Sequence, residues 1–277
     1  MNWRNVAAIA RKDLGEVRQN RMVWLPMILL PLILCTILPI VLIVLPQIAG
    51  SGIAESMNDP DLARMLENLP AAMKAQIEGM NANQQMIYIV LGFMFAPLFL
   101  ILPIMTASVV GTNSFVGEKE RKTIEALLYT PATDHELFFG KMLAAISLSL
   151  AITLLSFVLY ALVLNGLGAS IMGGIWFPTP VWWVLIIWLA PAVSVLGMLG
   201  AVVVSARART FMEAYQMTGL LVLPVLLLLI GQVAGVISLS IEVTLFVGCA
   251  VWLLDAALLW GSLHLFSRYS LFESARL

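Results

Sequence analysis

The segment from Gly111 to Lys119, GTNSFVGEK, has the residue spacing that comes closest to a known chemical motif. Two glycines followed by a lysine suggest a loop that holds nucleotide phosphates, for which the pattern is G-x-x-x-x-G-K-[ST]. Here five residues separate the glycines, and Glu118 stands before the lysine. The segment also follows a long apolar run, whereas a phosphate loop follows a β-strand. We therefore expect that this chain does not bind ATP.

Catalytic and metal-binding patterns are also missing from the sequence. His135 and His264 lie far apart, and neither has a Cys or His neighbour at the spacing of a metal site. No Ser/His/Asp grouping and no HExxH motif occurs. Cys35 and Cys249 lie inside apolar runs, where cysteine serves as a small apolar residue. The sequence thus predicts a chain that is not an enzyme and has no metal site or cofactor of its own.

Asp255 is the single residue with the strongest indication of a role, because it falls at the middle of a long apolar run. A charged side chain at the centre of a membrane helix costs roughly 2.5–3.5 kcal/mol, so this carboxyl group should face a cavity or a polar partner. The candidate partners are Gln232, Ser194, Thr153 and Thr106. Two interpretations stay open: a contact with a substrate or cation, and a hydrogen-bonded clamp between helices.

The composition places the chain in a membrane. Of its 277 residues, 61% are hydrophobic and 11% are charged, and the mean hydropathy is +0.98, whereas soluble domains contain about 25% charged residues. The net charge of −1 and the lack of a basic domain argue against a nucleic-acid partner. We predict an all-α polytopic membrane protein with a single transmembrane domain over residues 1–277. A helix needs about 20 apolar residues to cross a bilayer, and six runs are long enough: 22–45, 86–110, 142–164, 181–204, 217–238 and 243–266.

Lysine and arginine are distributed unevenly between the two sides that these six runs define. Thirteen of the fifteen lie before the first run, between runs two and three, between runs four and five, or after the sixth run. Because cationic residues are retained on the cytoplasmic side of a membrane, both termini are predicted to be cytoplasmic.

Two peripheral segments have helical patterns. In residues 2–21, an apolar stripe runs beside arginines that recur every seven residues, which is typical of an amphipathic helix in the membrane interface. The stripe consists of Trp3, Val6, Ala10, Leu14 and Val17. Residues 46–85 form an outer loop in which Pro60 and Pro70 each precede a helical apolar pattern, so we predict a helical hairpin. This loop holds five acidic residues, and it is either a lid that attracts ions or a solvated cap.

Residues 111–141 are a long polar segment on the predicted inner side. The charged run 118–122 leads into Ile124, Leu127 and Leu128, whose spacing predicts a short helix with one apolar and one charged face. Further on, Thr133 and Glu136 match the capping box that begins a helix, so the helix of the third span is expected to start in the cytoplasm. A short amphipathic helix held at a membrane surface has the shape of a docking element for a partner protein.

This segment resembles the inner loop of type-2 ABC transporter permeases, most closely in the NatB-like sodium- and drug-export branch. The residues that match are Phe115, Glu118, Lys119, Glu120, Arg121, Thr123, Glu125, Leu127, Leu128, Pro131, Gly140 and Lys141. The run Arg11–Leu14 and the second inner loop, with Arg207 and Glu213–Gln216, are similar to the same branch. One departure is Lys122, where these permeases usually have a glycine.

The resemblance implies an exporter permease in the inner (plasma) membrane that works with two copies of a separate ATPase subunit, where ATP and Mg bind. A second permease copy or a paralogue and membrane lipid are the other expected partners. The segment would carry a coupling helix, with Glu118, Glu120, Arg121, Thr123 and Glu125 making polar contacts to the ATPase and Leu127 and Leu128 packing against it. In such permeases the translocation path is expected near spans two and five, and Asp255, Gln232 and Thr106 are the candidates to line it. Two alternatives stay open: a secondary transporter in which Asp255 relays a cation or proton, and a membrane enzyme or assembly factor.

Overall fold

The structure is a computed structural model, and it describes residues 1–49, 71–120, 132–208, 210–237 and 239–265. Within these ranges the chain forms helices, and no β-strand occurs in them. The helices are α1 (Trp3–Gln19), α2 (Arg21–Leu45), α3 (Ala71–Ile77), α4 (Asn83–Glu120), α5 (Asp134–Met172), α6 (Pro180–Ser205), α7 (Phe211–Val233) and α8 (Ile241–Leu265). All except α1 and α3 are long and apolar enough to cross a membrane, which confirms the predicted all-α fold with six spans.

The centre of the bundle is the contact between α4 and α6, which bury most of their apolar residues, whereas α2, α7 and α8 expose most of theirs. Glycines permit this close approach. A Cβ atom on Gly197 of α6 would lie only 2.6 Å from the Ile104 carbonyl oxygen of α4. The outer spans therefore present broad apolar surfaces, as expected of helices that face lipid.

Proline interrupts the regular hydrogen bonding of α4, and neighbouring side chains compensate. Residues Tyr88–Met94, just before Pro97, form a π-helical turn. Its carbonyl groups at positions 91, 92 and 93 accept hydrogen bonds from the Tyr160 hydroxyl group (2.7 Å), the Trp182 indole (2.7 Å) and the Gln232 amide (3.0 Å). Three different spans, α5, α6 and α7, thus converge on this one turn.

The third span is longer at both ends than the apolar run that predicts it. α5 continues to Met172, although the sequence predicts an outer loop from Asn165. The Asn165 side chain accepts hydrogen bonds from the backbone N–H groups of Trp176 and Phe177 (3.2 Å each) and donates one to the Phe177 carbonyl oxygen (2.7 Å). Because its partners lie beyond the helix end, this polar residue does not stop the helix, which ends at Gly173 with φ of 79°.

The predicted outer hairpin falls mainly in residues 50–70, which lie outside the described part of the chain. Its second helix is present as α3, which begins directly after Pro70. The Tyr88 hydroxyl group donates to the Gln76 side-chain oxygen (2.6 Å), so α3 is attached to the start of α4.

The fifth span ends at Val233, earlier than predicted. It ends there because Gly235 adopts φ of 70° and the N–H groups of Val236 and Ile237 bond back to the Gly231 carbonyl oxygen.

The apolar stripe of α1 packs against protein. The sequence predicts that this stripe faces the membrane, but Val6, Ala10 and Val17 are buried. The contact with α5 is close, since a Cβ atom on Gly140 would lie 2.8 Å from the Ile9 Cβ atom. Trp3 is the exception on the stripe, with 69% of its surface exposed. α1 is therefore attached to the end of the helical bundle along most of its apolar face.

Candidate functional site

Polar side chains meet where α1, the end of α4 and the start of α5 come together. Asp13 comes from α1, Ser114 and Glu118 from α4, and Lys141 from α5, and all four are buried. We call these four residues, with Lys12 and Glu16 at their edge, the charge cluster. The described part of α4 reaches Glu120 and α5 begins at Asp134, so the charge cluster lies where these two helices flank the segment that the sequence predicts to be a docking element.

Lys141 is the centre of the charge cluster. Its Nζ atom donates to Glu118 Oε2 (2.6 Å), to the Ser114 carbonyl oxygen (2.8 Å) and to Ser114 Oγ (3.1 Å), and it lies 3.5 Å from Asp13 Oδ2. Ser114 Oγ in turn donates to Asp13 Oδ2. The ammonium group also lies 5.5 Å from the centre of the Phe115 ring. A lysine has three N–H donors, so this buried cation has a partner for each of them.

Lys12 supplies a second positive charge from the more exposed side of the charge cluster. Its Nζ atom donates to Glu118 Oε1 and lies 3.1 Å from Glu16 Oε1 and 3.7 Å from Asp13 Oδ1. Partial burial favours a lower pKa for Lys12, but the hydrogen bond and the negative charge of Glu118, together with Asp13 and Glu16, outweigh it and raise this pKa. Lys12 therefore stays charged, and each oxygen of the Glu118 carboxylate contacts a lysine.

The acidic members of the charge cluster, Asp13, Glu16 and Glu118, have carboxylate oxygens within 4.8 Å of one another. Such a group could bind a metal ion, but here Lys12 and Lys141 already supply positive charge to these carboxylates. Taking one ion out of a buried pair leaves the other uncompensated, which typically costs about 3–5 kcal/mol. This arrangement therefore has a structural role, in which paired charges hold α1, α4 and α5 together.

Two further contacts attach the ends of the predicted docking segment to neighbouring helices. The Glu120 carboxylate accepts a hydrogen bond from the Phe211 N–H group (2.8 Å), at the first residue of α7. At the other end, Thr133 and Glu136 form both hydrogen bonds of the predicted capping box (3.3 and 3.1 Å). Glu136 also accepts a bond from the Asn5 side chain of α1 (3.1 Å). Each end of the segment is thus connected to a second helix.

The structure places the predicted coupling residues in two groups. Glu118 and Glu120 lie within the described chain and bond to neighbouring helices, and Glu118 is almost fully buried. The other five lie outside the described residues: Arg121, Thr123, Glu125, Leu127 and Leu128. An ATPase contact through Glu118 therefore requires this carboxylate to leave its two lysines, and that contact stays a prediction.

Sequence reasoning missed Asp13, Ser114 and Lys141 as a group. A signal for Asp13 was available, because residues 6, 10, 13 and 17 follow the same spacing of three and four, so Asp13 lies within the apolar stripe itself. A charged residue on the face that packs against protein requires a buried partner of opposite charge. The identity of that partner, Lys141, depends on how the helices pack.

Asp255 is buried on α8, which packs mainly against α6, and neither of its carboxylate oxygens has a hydrogen-bond partner among the described residues. The partners predicted for it are engaged elsewhere or do not reach it. Ser194 bonds to Ser149 Oγ (3.0 Å) and to the Ala190 carbonyl oxygen (2.9 Å), and Thr153 Oγ1 has no described partner. The interhelical clamp that the sequence suggests for Asp255 is therefore not formed with any described residue.

Two of the three residues predicted to line a path, Gln232 and Thr106, lie apart in the structure. Gln232 bonds to the Phe93 carbonyl oxygen, whereas Thr106 borders a narrow cleft between α2 and α4, beside Met27 and Pro31. Thirteen residues separate Phe93 from Thr106 on α4, which corresponds to about 20 Å along a helix at about 1.5 Å per residue. Gln232 and Thr106 thus lie at different depths, and their role in transport stays a prediction.

Six membrane-length helices define a polytopic membrane protein, and the charge cluster connects two of these spans, α4 and α5, with α1. The family model of the ABC-2 family transporter protein matches residues 7–255. The chain belongs to that family and is a permease of an ABC transporter, which confirms the resemblance to type-2 permeases. Members of this family are membrane components that generally work with an ATP-binding subunit. Comparisons with curated proteins and with solved structures give no significant match.

Proposed function

We propose that this chain is the permease subunit of an ATP-driven exporter of the NatB-like sodium- and drug-export branch. In this proposal it pairs with a second permease copy or a paralogue and with two ATPase subunits, which bind ATP and Mg. Both termini and the segment 111–141 lie in the cytoplasm, and the protein resides in the plasma membrane. The excess of lysine and arginine on this side of the six spans supports that orientation.

The observation that carries the proposal is the charge cluster at the base of the segment. A docking element transmits force only if its ends are held by the helices that have to move. Glu118, near the start of the segment, and Lys141, its last residue, are 23 residues apart in sequence and are joined by a hydrogen bond of 2.6 Å. Asp13 connects α1 to the same charge cluster. A displacement of the segment would then move α1, α4 and α5 together, which is a rigid-body route to alternating access.

The proposal divides the coupling residues by role. Glu118 stabilises the charge cluster, because its carboxylate is buried between Lys12 and Lys141. The residues proposed to contact the ATPase are Arg121, Thr123, Glu125, Leu127 and Leu128. Glu120 has an intermediate role, since it bonds to the start of α7 from an exposed position.

The docking role is tested by purifying the permease with its ATPase. The double substitution Arg121→Glu and Leu127→Asp is expected to abolish co-purification and transport-coupled ATP hydrolysis, because it reverses a charge and places an acid on the apolar face. Lys119→Gln is a matched control, since it lies in the same charged run but carries no predicted docking role. If the double variant retains complex formation and coupled hydrolysis, the docking role is wrong.

The second candidate function, an ion-coupled transporter, is favoured by Asp255, whose buried carboxylate has no described partner. In this case Asp255 would bind a cation or proton within the membrane, and transport in liposomes would follow an ion gradient without ATP. The substitution Asp255→Asn should then abolish transport, whereas Glu242→Gln, at an exposed acid near the start of α8, should not. ATP-dependent transport that Asp255→Asn leaves unchanged would exclude this function.

A further inference from the structure

The outward face of α1 is strongly basic. α1 and the first residue of α2 carry five cationic side chains, and one of them, Lys12, turns toward the charge cluster. The other four are exposed, and none takes part in an ion pair with a described residue: Arg4, Arg11, Arg18 and Arg21. The two acidic residues of α1 do not neutralise them, because Asp13 is buried and Glu16 pairs with Lys12. Among the described residues, the four arginines of this surface therefore have no ion-pair partner.

The arginines of α1 point in nearly one direction. Arg4, Arg11 and Arg18 recur every seven residues, and an α-helix drifts by only about 20° over seven residues. The three side chains thus lie within about 40° of one another around the helix axis. The neighbouring apolar face, with Val6, Ala10 and Val17, is buried against the bundle, so α1 cannot rotate to hide its basic side.

The contacts of α1 place this surface near the membrane boundary. Asp13 touches Ser114 and Lys141, which lie four residues after and one residue before the apolar runs of α4 and α5. At about 1.5 Å per residue, these contacts lie within about 6 Å of the apolar runs. The headgroup layer is about 5–8 Å thick on each side of a bilayer. α1 is therefore held at the depth of lipid headgroups along the part that includes Arg11 and Arg18.

We propose that Arg4, Arg11, Arg18 and Arg21 form a binding surface for the headgroups of anionic phospholipids. Clusters of four or more basic residues beside a membrane helix attract acidic lipids, and each contributes a factor of about five in binding near such a surface. Arginine suits this role because its guanidinium group forms paired hydrogen bonds with phosphate oxygens. The apolar stripe is occupied by protein, so the helix meets the membrane through charge. Because α1 is attached to α4 and α5 through the charge cluster, lipid binding to these arginines would act on the same three helices.

The experiment measures lipid preference for the full chain reconstituted in vesicles. Spin-labelled phosphatidylglycerol and spin-labelled phosphatidylcholine are compared by electron paramagnetic resonance, and the ratio of their association constants reports selectivity. The wild type is expected to prefer phosphatidylglycerol several-fold, and this preference should fall as salt is raised. The triple substitution Arg4→Gln, Arg11→Gln and Arg18→Gln should lower the ratio at least threefold. Replacing the same three residues by lysine should retain most of it.

Arg207→Gln is the matched control, because it removes an exposed arginine from the loop between α6 and α7, which is also predicted to be cytoplasmic. The proposal is overturned if the triple glutamine variant keeps the wild-type ratio, or if Arg207→Gln lowers the ratio as much. It is also overturned if the triple variant loses its ATPase in lipid-free detergent while its lipid preference is unchanged. That result would assign the surface to an acidic protein partner. A thermal unfolding curve equal to that of the wild type confirms that the exposed substitutions leave the fold intact.

Discussion

Replacing Lys141 by methionine tests the charge cluster directly. The two side chains are similar in length, so the substitution removes a positive charge without opening a large cavity. It leaves Asp13 and Glu118, each at most 4% exposed, with Lys12 as the nearest cation. Removing one partner of a buried ion pair costs about 3–5 kcal/mol. We expect a loss of this size in the free energy of unfolding, measured by titrating the purified protein from dodecyl maltoside into sodium dodecyl sulfate.

A second substitution shows whether the loss comes from charge. Glu118→Gln in the Lys141→Met background restores the original net charge of the cluster, and we expect it to recover at least about 1 kcal/mol, a coupling typical of groups in contact. Lys119→Met is the matched control, because Lys119 neighbours Glu118 but is only half-buried and should change stability by about 0.5 kcal/mol or less. If Lys141→Met destabilises no more than Lys119→Met, or if the double variant is no more stable than Lys141→Met, the charge cluster does not hold the helices together.

Three further substitutions test single contacts. Gln232→Leu leaves the Phe93 carbonyl oxygen without its donor and should lower the free energy of unfolding by about 1–3 kcal/mol in the same titration, whereas the exposed Leu227→Ala should have a smaller effect. Glu120→Ala removes the acceptor of the Phe211 N–H group, so amide hydrogen exchange should accelerate at the start of α7 and stay unchanged in α8. Gly140→Val places side-chain atoms against Ile9, because a Cβ atom at position 140 would lie 2.8 Å from the Ile9 Cβ atom. α1 should therefore separate from α5 and become more accessible to protease. Protection equal to that of the wild type would contradict this packing.

Tertiary structure changed the meaning of two sequence signals. The stripe on α1 is a correct prediction of an amphipathic helix, but periodicity alone does not distinguish a face that touches lipid from one that touches protein. Asn165 reads as the end of the third span, yet it bonds to the returning loop at Trp176 and Phe177, so the helix continues past it. In both cases the residue pattern is local, while the partner comes from another part of the chain.

The sequence by itself determined the six spans, the capping box at Thr133 and Glu136, and the family. The length of an apolar run and the reach of a capping side chain are set by neighbouring residues, so both are readable without knowing the fold. Only the tertiary structure decided the partners of the buried polar groups. Asp13 meets Ser114 across 101 residues, and Gln232 meets Phe93 across 139. Helix packing determines these pairs, because a buried charge or amide is stable only where another helix brings its complement within hydrogen-bond distance.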